Sequence, residues 1–181
     1  MYGEEIPNMI NMFKKESQEV LKMLDDLGVS IKNLQYEGKM FLGKNTKAIE
    51  KVVTFLRGKM FEHIQLDEKV VFPYIQKHIP KLEPMLCFLR AERNEFKLNL
   101  ENFEYLFKQL KSEKNGLRQQ KIIDQLKEKG VYLICLIRNH IQIEIESVYK
   151  PIESQLHQDE KKALVRQCLQ FKVNPFRRKK S

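Results

Sequence analysis

Glycine and proline are scarce in this sequence, at 7 and 6 of 181 residues. With 42% hydrophobic and 31% charged residues, that scarcity excludes a disordered or loop-built chain and points to long helices. Long apolar runs are missing too. The longest, VYLICLI at 131–137, falls far short of the ~20 residues that a membrane-spanning helix needs. The polar, acidic start MYGEEIP does not resemble a secretory signal, so a soluble protein is expected. Cysteine is limited to Cys87, Cys135 and Cys168, odd in number, widely spaced and set among apolar neighbours. Reduced core thiols read this way, which sets the expectation of a cytoplasmic protein. Gly-rich phosphate loops, nucleophile elbows and paired-cysteine zinc spacings are absent.

Acidic residues are absent after Glu160. The segment 161–181 holds eight Lys and Arg, so it carries +8 of the net charge of +9 and leaves the body of the chain nearly balanced. A solvated basic tail, NPFRRKKS, is the simpler expectation; the same charge makes it a candidate contact for a polyanion or an acidic partner.

Helical periodicity dominates what remains, and no window alternates as a strand does. The spacing predicts helices over about 8–27, stopped by Gly28; 46–78, after the cap signals Asn45 and Thr46 and before Pro80; 82–113, before Asn115 and Gly116; and 118–150, weakened at Gly130 and ended by Pro151. A short helix follows at about 159–171. The fold class expected is all-α: an up-down-up-down four-helix bundle with a short C-terminal fifth helix over residues 1–172, and a basic tail at 173–181. A chain of this length can bury one core without disulfides.

The apolar stripes at 3,4 spacing carry the functional signal. They read Ile10, Phe13, Ser17, Val20, Leu24; Leu56, Met60, His63, Asp67, Val70, Tyr74; Leu86, Leu89, Arg93, Phe96, Leu100, Phe103, Phe107; and Leu133, Leu136, His140, Glu144, Val148. Every stripe is interrupted near its middle. Because helix direction alternates, the interruptions can converge on one polar layer of Ser17, His63, Asp67, Arg93, His140 and Glu144. A histidine and a carboxylate at i and i+4 lie one turn apart on one face, so each pair can offer an imidazole nitrogen and a carboxylate oxygen to one divalent ion. Two facing pairs, His63 with Asp67 and His140 with Glu144, supply four candidate metal ligands. The same residues also make sense as a buried hydrogen-bonded network with no metal.

The segment HIQLDEKVVFP, 63–73, resembles the second-helix signature of the hemerythrin-like (HHE cation-binding) family, and HIQIEIESVYKP, 140–151, is similar to its fourth-helix counterpart with one more residue before the proline. The resemblance runs over roughly 8–152. It implies a four-helix bundle holding a non-haem, usually di-iron, centre, with His63, Asp67, His140 and Glu144 on ligand positions. The family also expects a histidine from its first and third helices, where this chain has Ser17 after Glu16 and Arg93 after Glu92.

Charge decides how much metal such a layer holds. A guanidinium about 5 Å from a divalent ion is repelled by roughly 6–7 kcal/mol at an effective dielectric of about 20. Asp67 and Glu144 bring two negative charges, which one divalent ion neutralises, as do Arg93 and one protonated histidine. The expectation is iron, one ion or none rather than a di-iron pair, in a protein that senses or regulates. The alternative is a metal-free bundle, with Arg93 in place of the cation, that acts as an interaction module through its basic C-terminal end. Glu16 and Glu92 flank the stripes; turned inward, they would give the four-carboxylate, two-histidine set of ferritin-like oxidases, but the reading favours a binding protein over an enzyme. Tyr74 and Tyr149 are expected to pack at the layer's edge, His78 to be structural and His157 to be exposed.

Overall fold

The computed structural model describes residues 9–37 and 42–173, and these are almost wholly helical. Helix α1 spans Met9–Tyr36. Helix α2 covers 42–78, beginning with Leu42–Phe55 and ending with Phe72–His78. Helix α3 is Glu83–Ser112, α4 covers 116–155 starting with Gly116–Glu144, and α5 is Gln158–Val173. Around the bundle α1 packs on α2 and α4, and α3 packs on α4 and α2. The expected all-α bundle with a short C-terminal helix is the fold. Residues 174–181, and with them all of the basic tail but Val173, lie outside the described residues, as does the side chain of Ile10.

Several boundaries differ from the expectation. Helix α1 runs through Gly28 because the turns beyond it bury Ile31 and Leu34, which offsets a glycine cost of about 1 kcal/mol. Helix α2 starts earlier, at Leu42. Asn45 and Thr46 are not caps: Asn45 is buried and donates to Glu37 at 2.9 Å, and the Thr46 hydroxyl donates back to the Leu42 carbonyl. Asn115 caps α4 rather than closing α3, its side chain accepting from the N–H groups of Leu117 and Arg118.

Proline does not end α4. A helix-interior proline lacks an N–H, and its ring strikes the carbonyl four residues back. Pro73 and Pro151 each follow a widened π-type turn, Asp67–Val71 and Ile145–Tyr149. Phe72 N–H reaches the Asp67 carbonyl and Lys150 N–H reaches that of Ile145, five residues back, and this register lets the helix continue past the ring. Both widened turns begin at the polar layer.

That layer divides the apolar core. One cluster, with Leu24, Ile49, Leu100 and Leu133, fills the bundle toward the end marked by Leu34, Leu110 and Ile123. The other, with Phe13, Phe72, Leu86 and Ile152, lies beyond the layer and is completed by Leu164, Val165 and Cys168 of α5. Gly130 is no weak point. It is buried, and a Cβ there would overlap Ile31 Cδ1 and crowd Phe103 Cε2 at 3.1 Å, so the glycine permits the close approach of α1 and α3 to α4. Of the three cysteines only Cys168 is in the core; Cys87 and Cys135 are exposed, on the outer faces of α3 and α4, so their apolar neighbours were a poor guide.

Candidate metal centre

His63 and Asp67 occupy successive turns of α2, and the π-type turn starts at Asp67. Their i,i+4 spacing sets His63 Nε2 3.2 Å from Asp67 Oδ2. From α4, Glu144 brings Oε2 to 3.2 Å from the same nitrogen. These three residues offer ligand atoms within 4.8 Å of one another. Asp67 and Glu144 are fully shut off from solvent, while His63 keeps a small exposed edge.

Arg93 enters from α3, where the stripe is interrupted, and is 1% exposed. Its Nη2 donates to Asp67 Oδ2 at 2.5 Å and to Glu144 Oε1 at 2.6 Å. The guanidinium lies 4.3 Å over the Phe72 ring. His140, the fourth residue singled out in the sequence, stands beside Arg93 rather than with the other three: its Nε2 accepts from Arg93 Nε at 3.4 Å and is 3.8 Å from Glu144 Oε1.

Both histidines are steered by carboxylates from the preceding helix. Glu16 Oε2 lies 3.3 Å from His63 Nδ1, and Glu92 Oε2 lies 3.0 Å from His140 Nδ1. These acids do turn inward, onto the outer ring nitrogens, which fixes each imidazole with Nε2 aimed into the layer. Tyr149 also reaches the layer, its hydroxyl 3.2 Å from His63 Nε2 while its ring stacks on Phe13. Tyr74 does not; its hydroxyl donates to the Glu160 carbonyl of α5. His78 pairs with Glu160 at 2.9 Å, and His157 is exposed.

The electrostatics follow from these contacts. Burial alone would lower the His63 pKa, but Asp67, Glu144 and Glu16 outweigh it and push it up to about 10. His63 is therefore a cation donating from both nitrogens. Burial and the Arg93 charge lower the His140 pKa, so its ring is neutral, with the proton on Nδ1 toward Glu92 and the Nε2 lone pair on Arg93. Burial and the neighbouring Glu144 raise Asp67 to about 7. Glu144 is held well below the carboxylate range against its burial by His63 and Arg93. Glu16 is lowered to about 2, again against burial, by His63 and by Lys172, whose Nζ lies 2.5 Å from Glu16 Oε1.

A cavity of about 240 Å³ leads to this centre, lined by Glu16, Ser17, Met60, His63, Glu144 and Lys172 among others. Ser17, where a further histidine was expected from the resemblance, thus borders the approach. Glu16 and Glu92 carried a usable sequence signal, since each directly precedes an interrupted stripe position. Lys172 carried none, because only the docking of α5 brings it there.

Residues 8–152, which hold the paired His-carboxylate turns, match the model of the hemerythrin HHE cation binding domain. The chain belongs to this family. No curated protein matches it. Helix α5 and the Lys172 contact lie outside the matched segment.

The donor set of this hemerythrin-like domain suits a cation. One imidazole nitrogen and two carboxylates converge, and Asp67 Oδ1 is a buried oxygen with no hydrogen-bond partner, a donor held in reserve. Arg93 Nη2 touches both Asp67 and Glu144, and its charge would repel an ion placed beside it. His63, Asp67 and Glu144 would hold an ion, which would supply Lewis acidity at the head of the cavity. Around it Glu16 orients His63, Tyr149 bounds the nitrogen's free side and Lys172 balances Glu16.

Proposed function

We propose that this hemerythrin-like protein binds a single iron ion through His63, Asp67 and Glu144, in a sensing or regulatory role in the cytoplasm. The convergence of those three donors at the end of a solvent-connected cavity carries the reading. Mixed nitrogen and carboxylate donors suit iron and its divalent neighbours. Binding replaces the His63 proton rather than Arg93, which keeps both carboxylate contacts. A single ion reached through an open cavity exchanges with solvent, which suits sensing; oxygen carriage on a bridged pair would need a second ion where Arg93 stands. His140, also proposed as a ligand from the sequence, can join only if Arg93 Nε releases its Nε2. Three free thiols accord with a reducing compartment.

Metal analysis of untagged protein after anaerobic loading with ferrous iron tests this reading. At most one iron per chain is expected, and exchange of both His63 and His140 for alanine should abolish it while helicity persists. Two irons per chain with an oxo-bridged absorption spectrum would overturn the stoichiometry; unchanged metal content in the double variant would overturn the ligands. A second reading rests on the Arg93 contacts themselves: with Arg93 and protonated His63 in place, the layer is already neutralised without metal. Under that reading the wild type takes up no iron and Arg93→His does.

A further inference from the structure

We propose that the outward face of α5 docks the protein on an anionic lipid bilayer. Lys162, Arg166, Leu169 and Val173 follow one another at spacings of 4, 3 and 4, which places them within an arc of about 60° on the helix. All four are exposed, Leu169 by 39% and Val173 by 80%. The inward face of the same helix buries Leu164, Val165 and Cys168. Two cations and two aliphatic side chains therefore share one solvent-facing stripe.

This mixture selects the partner. Cations alone would suit any polyanion, but exposed aliphatics among them gain nothing against a phosphate backbone and carry no aromatic ring on which a base could stack. A bilayer interface takes both, the cations among anionic headgroups and the aliphatics at the acyl boundary. The surface is also preorganised. Helix α5 is held on the bundle by His78 against Glu160, by the Tyr74 hydroxyl on the Glu160 carbonyl and by Lys172 on Glu16, so no helix has to form on docking.

Sedimentation of the full chain with vesicles of phosphatidylcholine, alone or with roughly a third phosphatidylserine, tests this. Binding is expected only to the anionic vesicles, weakening as salt rises. Lys162→Glu with Arg166→Glu should lower partitioning about tenfold or more, with helicity unchanged because both positions are exposed. Leu169→Ser with Val173→Ser should lower vesicle binding several-fold yet leave heparin binding intact. Wild-type partitioning by both variants would place any lipid contact outside this face and overturn the proposal. So would absence of vesicle binding by the full chain, or tighter binding to duplex RNA that the Leu169 and Val173 substitutions leave unchanged.

Discussion

Exchange of Arg93 for alanine leaves two carboxylates without the cation that now touches both, at 2.5 and 2.6 Å in a layer where the arginine is 1% exposed. Breaking a buried ion pair from one side costs about 3–5 kcal/mol. Asp67 limits the loss, because its pKa is already up at about 7 and removal of the guanidinium raises it further, so it can take a proton. The variant's folded state then binds more protons than the wild type's above pH 7, and stability falls faster there as pH rises. The destabilisation should accordingly sit near about 3 kcal/mol at mildly acid pH and approach about 5 kcal/mol in mild alkali. For a chain of this size that corresponds to a melting point lower by roughly 6–20 °C. Urea unfolding followed by circular dichroism at several pH values reads both the size and the trend. Metal present at about 100 times its Kd should restore roughly 2.7 kcal/mol, and Arg93→His should bind metal more tightly than the wild type. A pH-independent loss below about 1 kcal/mol, the range of exposed pairs, would refute the internal-cation argument.

Four further outcomes follow from the packing and the charges. The folded pKa of His63, about 10, lies above its ordinary value of 6.5, so its ionic stabilisation is full below about pH 6.5 and is lost as pH rises through 10; in metal-free protein the stability gap between wild type and His63→Gln should shrink over that window, and a gap that widens would contradict it. Gly28→Ala should stabilise the protein by about 0.5–1 kcal/mol, since the new methyl meets only Ile134 Cδ1 at an ordinary 3.7 Å. Gly130→Ala should destabilise it by about 1–3 kcal/mol through overlap with Ile31 and Phe103; equal urea midpoints for the two would remove the close-approach argument. Thiol titration of native protein at pH 8 should find Cys87 and Cys135 reactive and Cys168 silent, because burial and Asp67 push its pKa up to about 12, with the third thiol appearing only on unfolding.

Much of this protein is legible in its sequence, because a bundle helix must place apolar residues every three or four positions and any exception on that stripe is costly. The interruptions at His63, Asp67, Arg93, His140 and Glu144 stand out for that reason, and the bundle does bring them into one layer. Spacing within one helix fixes which side chains share a face, so His63 with Asp67 was readable. Breaker residues misled, since Gly28 and Pro151 end isolated helices, whereas burial of Ile31 and a π-type turn carry these helices on. Partnerships across helices depend on rotation and depth that no local pattern encodes. Only tertiary packing set Glu16 on His63 and Glu92 on His140, put Arg93 rather than His140 between the two carboxylates, and laid α5 so that Lys172 meets Glu16. The sequence thus determined which groups had to be buried together; the docking of the helices decided which of them touch.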